Sequence, residues 1–137
     1  MKALKYIWAL PGTVLGLLLC IIYLPRRVRW FDGCLEIQPR WMITGAVAQT
    51  FGWLIFFARG REQVVSTRVH ERVHVQQAFR WGPLFYPLYV GHYMYLWVKY
   101  RFVYWKAYTS IWAEKEAYSF AAKYPTNAWG TKLPEEK

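Results

Sequence analysis

His70-Glu71-Arg72-Val73-His74 is the segment of this chain best suited to chemistry. On an α-helix, residues four apart lie one above the other, so both imidazoles project from one face at a separation that one zinc ion can bridge. Glu71 stands beside them. From there a carboxylate reaches a metal-coordinated water without being a ligand, the placement required of a general base. The plain alternative is a helix carrying two packing or surface histidines.

A catalytic zinc keeps one position open for water and takes three protein ligands, so a third must come from elsewhere in the chain. The metzincin arrangement is excluded: it has glycine where this chain has Gln77 and histidine where it has Arg80. A carboxylate from a later helix remains, with Glu114 and Glu116 as candidates. Gln77 falls on the same face as the histidines and either hydrogen-bonds one of them from behind, lines the cleft, or is simply solvated. His92 has no helical partner at a useful spacing and reads as a packing residue.

Helices must position these groups. Ser66 or Thr67 supplies a capping oxygen, and no helix breaker occurs before Trp81-Gly82-Pro83, which predicts a helix of about four turns ending at Arg80. Val69, Val73 and Phe79 would anchor it in a core. A last helix over residues 108–123 carries the two candidate carboxylates. Between them, residues 84–105 are almost continuously aromatic and apolar, interrupted by Pro87 and Gly91, with Lys99, Arg101 and Lys106 near the end. They read as a helix lying in or dipping into a membrane interface. Upstream, residues 50–57 are rich in aromatic and branched side chains and precede the turn signal Ala58-Arg59-Gly60-Arg61, which predicts a β-strand. A strand beside the metal helix can offer its edge to a substrate backbone. A membrane segment over 41–57 is the competing reading.

Composition points to lipid. Apolar residues make up 55% of the 137 residues and aromatics 20%, with 9 Trp and 11 Tyr, more than the core of a small domain hides. Trp and Tyr favour the bilayer interface, where the ring is apolar and its N–H or O–H stays wet. The uncharged stretch 7–24 approaches the length of a membrane-crossing helix and reads as an N-terminal anchor, a signal peptide being disfavoured by the lack of a small-x-small cleavage site. Lys and Arg outnumber Asp and Glu by 18 to 8, a formal charge of +10. Arg26, Arg27, Arg29 and Arg40 follow the apolar stretch, which suits anionic headgroups. No nucleic-acid motif accompanies the charge, so nucleic acid is not expected as a partner. The slight basic excess on the C-terminal side of the anchor favours a cytoplasmic domain. Cys20 and Cys34 have neither metal-ligand spacing nor a disulfide framework.

The later helix contains Glu114-Lys115-Glu116-Ala117-Tyr118-Ser119-Phe120-Ala121. HExxH followed by Glu-x-x-Ala-x-x-Phe-Ala resembles the gluzincin zinc peptidases, in particular the membrane-embedded CAAX prenyl proteases and the HtpX-type quality-control proteases. The chain also resembles short bacterial proteins of unknown function that read HERVHVxQ, then WGPLF, then an EAY-type helix. These segments cover roughly the second half of the chain, here His70 to Gln77, Trp81 to Phe85 and Glu114 to Tyr118. The resemblance implies Glu71 as base, His70 and His74 as zinc ligands and Glu114 as the third ligand. It also implies one zinc ion, hydrolysis of a peptide or protein substrate near the bilayer, and a bacterial inner-membrane location. The family has Asp where this chain has Tyr118, whose phenol can hydrogen-bond a ligand instead.

The fold expected is mainly α, with α+β as the variant: an N-terminal membrane anchor over residues 1–29, a metal-binding domain over 30–125 with a short strand or hairpin around 30–57 and three helices presenting the metal site, and a loose tail over 126–137. Two other functions compete with the peptidase. One is a non-catalytic zinc protein in which the metal staples two helices, with Glu116 able to close the site. The other is a basic membrane accessory subunit without metal.

Overall fold

Pro11 has no N–H to offer the carbonyl of Ile7, and the helix running through residues 7–24 is interrupted just there. In the computed structural model, which describes residues 2–42, 46–61 and 64–124, the break at Ala9 separates α1 (Lys2–Trp8) from α2 (Leu10–Tyr23). No helix among the described residues is long and apolar enough to cross a membrane. The single crossing expected over 7–24 is therefore corrected to two shorter helices, of which α2 is about 21 Å long against about 30 Å of hydrocarbon core. The small residues Gly12, Thr13 and Gly16 face inward while leucines and isoleucines face out. A side chain at Gly12 would enter the Tyr86 ring, and one at Gly16 would meet Phe51 Cβ.

The rest of the fold is mainly helical with one small sheet. Strands β1 (Pro25–Phe31) and β2 (Cys34–Pro39) form an antiparallel hairpin around Asp32-Gly33. Both turn residues have positive φ, 48° and 77°, the backbone that an Asp-Gly pair adopts most readily in a two-residue loop. A second hairpin, β3 (Ala48–Phe51) and β4 (Leu54–Phe57), turns at Gly52-Trp53, so the one strand expected over 50–57 is two. Gly52 has φ 61° and sits against Thr13, where no Cβ fits. Strands β2 and β4 pair in parallel, giving the order β1-β2-β4-β3 with β3 on an edge.

Helix α3 (Val65–Trp81) lies against this sheet. It starts earlier than predicted: Val64 is the N-cap residue, no side chain caps the end, and Ser66 and Thr67 lie inside the helix. The residues that seat it also differ in part. Val69 is buried, but Val73 and Phe79 are only partly so, and Val75 and Ala78 complete the apolar seam, Val75 against Ile55, Phe57 and Cys34. Two arginines fasten α3 to the first hairpin. Arg72 donates to the carbonyls of Asp32 (2.6 Å) and Phe31 (2.7 Å), and Arg68 pairs with the buried Glu36 at 3.0 Å.

After a short 3-10 turn at Gly82–Leu84 comes α4 (Phe85–Lys99). Pro87 is tolerated because it lies in the first helical turn, where its missing N–H would have no partner. Positive φ at Arg101 and Phe102 separates α4 from α5 (Tyr104–Ser110), and an extended Ile111 separates α5 from α6 (Trp112–Ala121). The two helices expected over 84–105 and 108–123 are thus three. The boundary expected between residues 29 and 30 falls inside β1, and α1 and α2 join the same packing: Tyr6 donates to the Gly33 carbonyl and the Trp53 N–H donates to Thr13 Oγ1. Cys20 and Cys34 are both free thiols. Residues 126–137 lie outside the described residues.

Candidate metal centre

One turn of α3 presents His70 and His74 toward α6, and both rings are buried. Ala113, Ala117 and Ala121 recur every four residues along α6, and with no large side chains on that stripe α6 lies close against α3. Glu114, on the same buried face, reaches both imidazoles. The separations are 3.1 Å from His70 Nε2 to His74 Nε2, 3.1 Å from His70 Nε2 to Glu114 Oε2, and 3.3 Å from His74 Nε2 to Glu114 Oε1.

These distances suit a shared cation. Ligands about 2.0–2.1 Å from a tetrahedral zinc are separated from one another by about 3.3–3.4 Å. Glu114 Oε2 is fully buried yet accepts no hydrogen bond of good geometry, so a carboxylate lone pair remains directed into the cluster. Burial alone would raise the Glu114 carboxyl pKa; the two imidazoles and Tyr89 outweigh it and hold it well below the usual carboxylate range. Burial works against charge on His74, but the bond to Glu114 and the charges of Glu71 and Glu114 prevail and push its pKa up to about 9. The pocket is short of positive charge, which a proton or a metal ion can supply. Neutral imidazole and ionised carboxylate are also the donor types that zinc takes.

The surroundings orient the donors. Gln77 is fully buried, and its Oε1 accepts from His74 Nδ1 at 2.9 Å, which leaves His74 Nε2 turned to the cluster. Gln77 Nε2 donates in turn to the Ala113 carbonyl (3.1 Å) and to Glu116 (2.7 Å). Glu116 therefore faces Gln77 and Arg80 and stands away from the histidines. Tyr118 packs its ring edgewise on His70, 4.5 Å between centroids. Tyr89 donates to Glu114 Oε1 at 2.6 Å, and burial together with the Glu114 charge pushes its pKa upward, keeping it a donor. His92 does not join the cluster; its Nδ1 accepts from the Trp112 N–H.

Glu71 opens onto the same cleft, of about 920 Å³. Thr50 on β3 donates to Glu71 Oε2 at 2.5 Å and so fixes one oxygen of the carboxylate. Among the described strands β3 pairs only with β4, and its other side borders the cleft. Opposite stand aromatic residues of α4 and α5, including Tyr86, Tyr89 and Tyr108. Thr50 and Tyr89 were not singled out from the sequence. Nothing local marks them, since each meets its partner only through packing across 21 and 25 residues.

Replacing Gln77 with Leu is expected to weaken zinc binding about 10- to 100-fold, because His74 loses the acceptor that fixes its tautomer and ring plane. Competition against a chelating indicator reads this directly. An affinity unchanged within about twofold would mean that His74 is oriented by its other neighbours.

Comparison of the chain with protein-family models, with curated proteins and with solved structures finds no match.

Proposed function

We propose that the chain is a membrane-attached zinc metalloendopeptidase of the gluzincin type, acting on a peptide or protein segment near the bilayer. The observation that carries this reading is the convergence of His70, His74 and Glu114 in a cleft that also holds Glu71 and the edge of β3. His70, His74 and Glu114 would hold the zinc ion. When bound there, zinc supplies a Lewis acid and lowers the pKa of a coordinated water towards about 7.

The chain's own residues do the rest. An extended substrate segment pairs with β3 and lies across the cleft. Glu71, with Oε2 held by Thr50, takes the water proton at Oε1 as the water oxygen bonds to the carbonyl carbon. It returns that proton to the amine nitrogen as the C–N bond breaks. Tyr89, Gln77 and Tyr118 keep the ligands in place.

A purely structural zinc would need a fourth protein ligand. Glu116, the carboxylate available for that role, is engaged by Gln77 and Arg80. An accessory subunit without metal leaves the buried His-His-Glu cluster without a purpose. Attachment to lipid is supported by the apolar side chains that α2 and α4 expose, such as Leu18, Ile21, Val90 and Val98; a bacterial inner membrane is what the family resemblance implies, and a cytoplasmic cleft is what the basic residues after the first apolar stretch favour.

Detergent-purified protein is expected to contain about one zinc per chain by elemental analysis. It should cleave an unfolded reporter protein, stop when zinc is chelated and recover when zinc is returned. Folded protein without zinc, or cleavage that survives chelation, would refute the proposal.

A further inference from the structure

Five arginines from three stretches of sequence meet at one end of the sheet. Strands β2 and β4 run parallel, with Ile37 opposite Phe56, so the chain leaves both on the same side. Arg40 follows β2, and Arg59 and Arg61 follow β4. Strand β1 begins at that end, Pro25 opposite Pro39, and brings Arg26 and Arg27. All five are exposed, and none forms an ion pair among the described residues. Arg29, by contrast, is committed to Glu36. Glu62, next to Arg61 in the sequence, can offset at most one of the five positive charges.

Helix α2 terminates at the same place. The Arg40 N–H donates to the carbonyls of Tyr23 (3.1 Å) and Leu24 (3.0 Å), and the exposed Trp41 stands edge-on to Tyr23. The outer face of α2 next to the arginines is apolar: Leu17, Leu18, Ile21, Ile22 and Leu24 are exposed, Ile21 at 73%.

We propose that this end of the molecule is a binding surface for anionic lipid, with the outer face of α2 in the acyl region and Arg26, Arg27, Arg40, Arg59 and Arg61 among the phosphates. The two halves of the surface require one partner that satisfies both. A nucleic acid would match the arginines and leave Leu18 and Ile21 in water. A neutral bilayer would cover the leucines and leave five guanidiniums without counter-charge. Trp41 at the junction suits the headgroup layer. Each arginine close to an anionic surface strengthens binding about fivefold. This surface rests on the membrane attachment proposed above and is independent of the metal centre, so its failure leaves the zinc reading to its own test.

The test places an environment-sensitive NBD label at Ile21→Cys in the full chain carrying Cys20→Ser and Cys34→Ala. Labelled protein is diluted from detergent into vesicles of phosphatidylcholine, or of an equal mixture of phosphatidylcholine and phosphatidylglycerol. The label is expected to shift to the blue on the mixed vesicles. Arg59→Glu/Arg61→Glu, and separately Arg26→Glu/Arg40→Glu, should raise the lipid concentration for half-maximal binding at least about 25-fold on mixed vesicles. Neither pair should change binding to phosphatidylcholine alone. Circular dichroism identifies any variant that fails to fold, and the two pairs test the same cluster from different strands. Equal wild-type binding to both vesicles, or folded variants that bind as wild type, would overturn the proposal. So would binding displaced by an oligonucleotide with no shift at position 21, which would assign the arginines to nucleic acid.

Discussion

Replacing Glu71 with Gln is expected to lower peptide hydrolysis by about 10²- to 10⁴-fold while zinc content stays at the wild-type level. The amide keeps the size of the side chain and can still accept from Thr50, which donates to Glu71 Oε2 in the wild type. It cannot take a proton from water near neutral pH. The separation of metal content from turnover is the informative part, because Glu71 stands one residue from His70 and a folding defect would remove both together. Elemental analysis and initial rates on the same preparation make the comparison. If the variant keeps more than about a tenth of the wild-type rate, Glu71 is not the base.

Replacing Glu114 with Ala acts on the other half of the site and should remove the metal. Apparent binding energies of about 10–16 kcal/mol for four-ligand zinc sites come to roughly 2.5–4 kcal/mol per ligand, or about 60- to 700-fold in affinity. The loss should exceed that of Gln77→Leu, which leaves all three donors in place. Glu116→Ala is the matched control. Its side chain touches Gln77 and Arg80 and neither imidazole, so zinc content should stay close to wild type. Loss of zinc in the Glu116 variant with retention in the Glu114 variant would exchange their roles.

The helical motif was legible because its logic is local. His70 and His74 share a face through helix geometry alone. The choice between Glu114 and Glu116 had a signal as well: Ala113, Ala117 and Ala121 mark the side of α6 that approaches another helix, and Glu114 lies on that side while Glu116 does not. Of the first hairpin, the strand or hairpin expected around residues 30–57 takes in β2 but only the end of β1, because Pro25–Phe31 reads as a basic collar after an apolar stretch and is exposed on both faces, so no alternation betrays it. Asp32-Gly33 was the usable clue to its turn. Capping was misjudged at Ser66 and Thr67 because the preference of a hydroxyl for a helix start is weak beside the packing of Val65 and Val69 against the core.

By itself the sequence determined a mainly helical chain, a helix with two histidines and a glutamate on it, a later helix with a carboxylate to offer, and an excess of apolar and basic surface. Each of these depends on residue type and on spacings of a turn or two. Only the tertiary structure set Glu114 against both histidines, chose the bond to His74 among the roles open to Gln77, fixed Glu71 with Thr50, and gave β3 an edge on the cleft. It also gathered Arg26, Arg27, Arg40, Arg59 and Arg61 into one patch. Apart from Gln77 and His74, which lie one turn apart on α3, those relations join residues 13 to 44 positions apart, and no local preference sets them. They exist because burying Leu54 and Phe56 in one cluster, Val75 with Ile55 and Phe57 in another, and Ala117 on the face of α6 toward α3 forces the elements that carry them into a single arrangement.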